Sequence, residues 1–459
     1  MSATRSVTLV YPGISTSGFN TAHLGWAEAS WIHHGLASLS AALKRDGAGV
    51  SLLDLRRMKN WGHFRRAVSA ADGAVFGVTM MSVDYDAALR CAALIRAARR
   101  DAFIFAGGAH PSIMTDELKD VPVFDCIFTG EAEASFPRLV RRLADGDRPG
   151  RIVRGEPPEL DAVPFADRDL FGPHEYPMKH MPPPFITLIA GRGCRYNCNF
   201  CQPAERLIFG RRVRRRSPEN VIAELKSLRD RYGFSSFLIH DDCLTEDAAW
   251  VESFCGLYRG EGFAQPFACQ SRADHVARRR GVIETMRGAG LAWLIIGFES
   301  GSQRVLNFLR KGTTVKQNLE AARVCRELGI RVWANYMLGI PSETKEEAME
   351  TVRMIRTIAP DHHSPSFYTP LPGSDLFAYC LENGLSRISS HGGYKRNPYG
   401  SKIRGVDYRF LRRAAIGSMG LSPAGAVRFI LLSNPRVKRA LARARHHARR
   451  LLAPGGRTR

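Results

Sequence analysis

Short apolar runs alternate with longer segments of helical spacing along most of this chain. Ser6 to Val10, Gly49 to Leu53, Ala74 to Val78, Phe103 to Ala106 and Cys126 to Thr129 are runs of the length and composition of buried strands. Helical periodicity fills His34 to Arg45, which Gly47 ends, then Ala87 to Arg99, and a segment running from Gly130-Glu131 to Leu143. Repeated strand–helix units predict a doubly wound, Rossmann-like parallel sheet over residues 1–150. Such sheets bind ligands beyond the carboxyl ends of their strands. Here those ends carry Pro12-Gly13-Ile14-Ser15, Thr79-Met80-Met81-Ser82, Gly107-Gly108-Ala109-His110-Pro111 and Thr129-Gly130-Glu131. Small residues are ordinary turn chemistry. They also leave room for a large flat ligand.

Residues 151–185 break the pattern. Pro157-Pro158, Pro164, Pro173, Pro177 and Pro182-Pro183-Pro184 are expected to exclude regular structure and make a fixed strap. Alternation then resumes. Strands are predicted from Ile186 and over Ser236–His240, Phe267–Ser271, Trp293–Gly297, Val332–Met337 and His363–Tyr368. Six such units over 186–385 fit a partial (β/α)6 TIM-type barrel, whose chemistry sits at the carboxyl ends of its strands. Ser217 reads as a helix N-cap with Pro218 in the first turn. The arginines from Arg211 to Arg216 just before it read as a solvated basic loop. Residues 386–459 form a basic C-terminal extension.

The densest chemistry is Cys194, Cys198 and Cys201, spaced C-x3-C-x2-C behind an apolar strand and a Gly191-Arg192-Gly193 turn. Thiolates this close select zinc or an iron–sulfur cluster. A structural zinc wants four protein ligands, and no fourth Cys or His lies nearby. A four-iron cluster on three thiolates leaves one iron open to a further ligand. The other seven cysteines are isolated, with no disulfide framework, which suits a reducing cytoplasm. Cys243 among them reads as a buried structural thiol.

The cysteine motif with its aromatic Phe200 resembles that of the radical S-adenosylmethionine (SAM) enzymes. The resemblance implies that Cys194, Cys198 and Cys201 hold a 4Fe-4S cluster whose open iron chelates SAM. Reduction by an electron donor such as flavodoxin or ferredoxin then yields a 5′-deoxyadenosyl radical. Later strand ends extend the likeness. Asp241-Asp242 with Thr245 is similar to a motif of the cobalamin-linked branch, and Glu299-Ser300 to a fourth-strand SAM contact. Gly339-Ile340-Pro341-Ser342-Glu343 resembles the loop that packs on the adenine. The implied SAM residues are Phe200, Asp241, Asp242, Glu299, Ser300, Gly339, Pro341 and Glu343. The Gly-Gly-Glu of other branches is absent.

Leu39 to Leu43 through Gly47, Gly107 to Pro111, and Gly130 to Glu133 with Phe136 resemble the cobalamin-binding domain found before many radical SAM domains. That implies cobalamin contacts from Ser15, Thr79, Ser82, Gly107, Gly108, His110, Gly130 and Glu131. No Asp-x-His-x-x-Gly occurs, so no histidine is expected to ligate cobalt, and His110 reads as a loop hydrogen-bonder. Together the motifs imply a class B-like radical SAM enzyme. It would carry a methyl group from SAM through methylcobalamin to an unactivated carbon of a small molecule, a secondary metabolite or lipid-like compound. The same cofactors serve cyclisation, rearrangement or oxidation. A methylthiotransferase is not expected, since the N-terminal domain has no second cysteine triad.

Charge changes the picture only at one end. The net charge is +22, but Lys402 to Arg459 holds 15 Lys or Arg against one acid, Asp407. The high pI therefore belongs largely to the tail. Its basic helical stretches suit peripheral contact with anionic lipid or simple solvation. Ala440 to Arg459 has no Phe, Trp or Tyr to stack on bases, which argues against nucleic acid. With no signal peptide and no apolar span of about 20 residues, the sequence is expected to be cytoplasmic.

Overall fold

The computed structural model describes residues 5–15, 18–21, 31–201, 204–396, 400–420 and 427. Its first sheet has six parallel strands: β1 (Ser6–Tyr11), β2 (Gly49–Asp54), β3 (Val75–Thr79), β4 (Phe103–Gly107), β5 (Cys126–Thr129) and β6 (Ile152–Arg154), ordered 2-1-3-4-5-6. Both faces are buried. Val10, Phe76, Val78 and Ile104 face one helical layer, and Val7, Leu9, Phe105 and Phe128 face the other. Two covered faces are why these strands read as continuous apolar runs. The strand order reverses between β1 and β3, which opens a crevice at the carboxyl edge.

The second sheet contains β7 (Phe185–Leu188), β10 (Ser236–Ile239), β11 (Phe267–Arg272), β12 (Leu291–Glu299), β13 (Arg331–Leu338) and β14 (His362–Phe367), all parallel and in sequence order. It curls into a half-barrel, since β14 does not pair back to β7. Between β7 and β10 lie two short antiparallel strands, β8 (Gly191–Arg192) and β9 (Arg214–Arg215), flanking the cysteine loop. The helix Pro218–Arg231 begins as expected, with the Ser217 hydroxyl accepting from the Asn220 amide.

Two stretches differ from expectation. The proline-rich segment is not free of regular structure: Ile152–Arg154 adds β6 to the first sheet beside β5. The prolines act only beyond it. There the strap is pinned by Arg168 and Glu175, a fully buried ion pair 3.0 Å apart. Glu175 also accepts from the Thr187 amide in β7 at 2.7 Å and from the Ile32 amide at 3.0 Å. One carboxylate thus ties strap, barrel and first domain together. The second difference is that the C-terminal extension is part of the folded body as far as residue 420. The helix Tyr408–Ser418 packs against Lys345–Ile358, and Tyr408 Oη accepts from the Lys402 and Ile403 amides. The basic tail beyond lies outside the described residues, apart from Val427. Among the described residues no helix is long and apolar enough to cross a membrane.

Removing one member of a buried ion pair strands the other charge in a low dielectric. Glu175→Gln should lower the unfolding free energy by roughly 3–5 kcal/mol in denaturant titrations. A loss within experimental error would show that the strap is held by packing alone.

Candidate active site

The two sheets meet carboxyl edge to carboxyl edge, and charge holds them in register. Arg192, in β8 just before the cysteine loop, donates to Glu131 at 2.5 Å and to Glu133 at 2.6 Å. Arg214 in β9 also donates to Glu131 and, at 2.9 Å, to the Pro158 carbonyl. Glu133 further accepts from Ser38 Oγ at 2.9 Å. Burial opposes its ionisation, but Arg192 holds the Glu133 carboxyl below the usual carboxylate range. Arg211 and Arg212 are exposed, as expected of a solvated loop, but Arg214, Arg215 and Arg216 are not. Arg214 joins this latch, Arg215 pairs with Asp241 at 3.3 Å, and Arg216 pairs with Glu224 at 2.5 Å.

The cysteine loop is anchored at its centre. The Asn199 amide donates to the Leu309 carbonyl at 3.1 Å and its side chain to Phe308 O at 2.6 Å, while its own carbonyl accepts from the Leu376 amide at 2.8 Å. Cys198 is buried; Cys194 and Cys201 are half-buried. Two cations approach. Arg272, at the end of β11, lies 3.8 Å from Cys198 Sγ and stacks 3.6 Å above the Tyr196 ring. Lys311 is buried nearby and pairs with Glu299 at 2.8 Å. The hydrogen bond from Cys201, then the charges of Lys311 and Arg272, pull the Cys198 thiol down to about 6 against its burial. Burial pushes the Cys194 thiol up, and the bond that Cys201 donates to Cys198 does the same for Cys201, so a bound cluster would displace the protons of those two. Three thiols spaced on one loop beside two cations fit a cluster.

The strand ends surround that loop unevenly. Asp241 accepts from the Ala190 amide at 2.7 Å and braces the turn into the loop; burial raises its pKa to about 6. Asp242 faces open space, where desolvation and then the Glu205 carboxyl push it up to about 8. Glu299 sits in the left-handed region at φ 61° and spends a carboxylate oxygen on Lys311. Ser300 does not present its hydroxyl to a ligand. It is fully buried, 3.1 Å from Thr351 Oγ1, and accepts from the Ser302 amide. Phe200 packs against the group containing Ile340 and Tyr368. Gly339 has φ 77°, and a Cβ there would lie 2.8 Å from Leu411 of the C-terminal helix. Glu343 folds back to accept from the Gly339 amide at 2.6 Å, leaving its buried Oε1 without a hydrogen-bond partner. An orphaned acceptor at a strand end fits a ligand that donates there.

A cavity of about 420 Å³ lies between the two carboxyl edges. Thr79, Gly107, Gly108, Gly130 and Glu131 line it from the first sheet, and Ile189 to Gly193, His240, Asp241 and Asp242 from the second. Leu9, Gly77 and Phe105 face Leu36 and Leu39 across an apolar slot leading from it. Gly108, at φ 101°, lets the β4 loop lie against β3, where a Cβ would meet Thr79 Oγ1 at 2.7 Å. An apolar slot opening on polar strand ends fits a large ligand with a flat rim and a tail. Ser15, Ser82 and His110 stand off this wall. Ser15 hydrogen-bonds Asp84, while Ser82 and His110 bond each other at 3.0 Å. Glu131 lines the wall, but its carboxylate is committed to the arginine latch.

Sequence reasoning missed Arg192, Arg272, Lys311, Glu133 and Glu205. Arg272 follows directly on the predicted strand Phe267–Ser271, at the carboxyl end where such a barrel places its chemistry, a signal that could have marked it. Lys311 carries no such mark.

Burial raises the Glu343 carboxyl from 4.5 to about 7. Its folded-state pKa exceeds that of the unfolded chain. Its contribution to stability is therefore present at low pH and is lost as pH rises through about 7. The stability gap between wild type and Glu343→Gln should shift by about 1–3 kcal/mol in the variant's favour between pH 5 and 8. Denaturation in the absence of SAM measures it, and a pH-independent gap would place this carboxyl in water.

Comparison with known proteins agrees with this geometry. The radical SAM superfamily matches residues 188–355 and the B12 binding domain residues 24–140. The chain is 28% identical over 369 residues to an uncharacterized methyltransferase, PH0819, of Pyrococcus horikoshii, covering 76% of this chain and 79% of that one. It is 27% identical over 379 residues to the anaerobic magnesium-protoporphyrin IX monomethyl ester cyclase of Rubrivivax gelatinosus, covering 77% and 68%. The radical SAM methyltransferase TsrM from Kitasatospora setae, solved with cobalamin and a [4Fe-4S] cluster, shares the fold. Its TM-score is 0.67 at 17% identity, covering 92% and 90%. A Rossmann-like B12-binding domain joined edge to edge with a radical SAM half-barrel makes this chain a member of the cobalamin-binding radical SAM enzymes.

Proposed function

We propose that this enzyme transfers a methyl group from SAM, by way of cobalamin, to an unactivated carbon of a small molecule. The observation that carries the reading is the single cavity walled by strand ends of both sheets. A substrate there is reachable from the thiol loop on one side and the B12-binding edge on the other. When bound, the cluster with SAM supplies a hydrogen-abstracting radical and cobalamin a transferable methyl. The protein contributes position. Cys194, Cys198 and Cys201 hold the cluster, with Arg272 and Lys311 offsetting thiolate charge. The free Glu343 oxygen and the Gly339 to Glu343 loop receive SAM, while Glu299 reaches it from its Lys311 pair. Thr79, Gly107, Gly108 and Gly130 receive cobalamin. The Arg192 latch fixes the separation of the two edges, and the strap excludes water from the junction.

Apolar walls with a few carboxyls suit a mainly apolar substrate bearing hydroxyl or amine donors. Asp242, which lines the cavity, can hydrogen-bond such a donor there. An electron donor such as flavodoxin or ferredoxin supplies the reducing electron, and the basic tail offers contact with anionic lipid. The cyclase among the relatives supports a second reading, ring closure without methyl transfer.

Anaerobic assay with methyl-labelled SAM separates the two. Label incorporated into product, with 5′-deoxyadenosine formed alongside, is the expected result; 5′-deoxyadenosine with an unlabelled product would establish the second reading. Alanine at Cys194, Cys198 or Cys201 should lower bound iron to background and abolish SAM cleavage, as read by iron content and the visible spectrum.

A further inference from the structure

Away from the cavity, His110, Glu117 and His391 bring three potential ligand atoms within 4.8 Å of one another. They come from three places: the short helix after β4, a turn six residues farther on, and the C-terminal extension. His391 Nε2 lies 2.8 Å from Glu117 Oε2, and His110 Nε2 lies 3.6 Å from the same oxygen. His110 is wholly buried, and its Nε2 has no hydrogen-bond partner. In the tautomer that donates Nδ1–H to Ser82, that nitrogen turns a lone pair toward a carboxylate. In that tautomer two acceptors face each other, an arrangement that a cation between them relieves.

We propose that His110, Glu117 and His391 bind a divalent transition-metal ion, zinc by ligand type, that clasps the C-terminal extension to the B12-binding domain. Two imidazoles and one carboxylate form a common zinc donor set. The 2.8 and 3.6 Å separations bracket the ~3.3 Å ligand–ligand edge expected of tetrahedral bonds of ~2.0–2.1 Å. Ser82 supplies the outer bond that orients a metal-bound imidazole. The His391 ring is already held, stacked 3.8 Å on Tyr85. Glu117 and His391 are partly exposed, which leaves the fourth position to water. The site does not depend on the methyl-transfer reading, because none of its residues lines the cavity.

The test uses holoenzyme with its cluster loaded, so that the thiols are occupied. After incubation with zinc chloride and desalting, metal analysis should find one zinc per chain, with iron unchanged. Zinc-edge X-ray absorption should show nitrogen and oxygen neighbours only. His391→Gln, which keeps a hydrogen-bond donor toward Glu117, should weaken zinc by at least ~100-fold, more than loss of an outer partner usually costs. Failure of wild type to retain zinc, sulfur among the zinc neighbours, or equal retention by His391→Gln would each overturn the proposal.

Discussion

The contact on which the rest depends is the ion-pair latch from Arg192 and Arg214 to Glu131 and Glu133. Buried ion pairs add little net stability, because desolvation offsets much of their attraction. What they impose is register, since a displaced partner leaves a charge stranded. Arg192 stands two residues before Cys194, and Glu131 stands one residue beyond the β5 turn at Gly130. The thiol loop therefore cannot move relative to the first sheet without breaking these bonds. Two independently folded layers become one site with a fixed gap.

The same economy of charge operates around the thiols. Arg272 and Lys311 bring two cations to a loop that must carry thiolate charge, and each is itself neutralised. Arg272 pairs with Asp274 at 2.9 Å and Lys311 with Glu299 at 2.8 Å. The two cations thus favour the Cys198 thiolate without a large excess of positive charge in the core. Beyond the second sheet, the C-terminal helix closes over Gly339 and backs the Gly339 to Glu343 loop. A segment that reads as an appendage thereby becomes part of the site's wall.

Much of the architecture was legible because its causes are local. Central strands buried on both faces, such as β1, β4, β7 and β10, must be nearly apolar throughout, and helices between strands must be amphipathic, so most of both sheets can be read from periodicity. The cysteine motif was legible for the same reason: three ligands within eight residues need only a loop to converge. The strand β6 escaped because it is three residues long and prolines follow it closely. The surroundings of Ser300 were hidden in a different way. Its motif marked the position, but only packing shows that the hydroxyl turns inward to Thr351.

The sequence by itself determined the fold class and the close spacing of the three thiols, because short-range spacing and periodicity encode them, and its motifs carried the resemblance that implies two cofactor domains. The tertiary structure alone decided which charges meet. Arg192 reaches Glu131 across 61 positions, and His391 reaches Glu117 across 274. In a chain with 66 basic and 44 acidic residues, sequence offers no rule for choosing such partners. Only the packing of the two sheets and the return of the C-terminal extension brings these carboxylates to these cations.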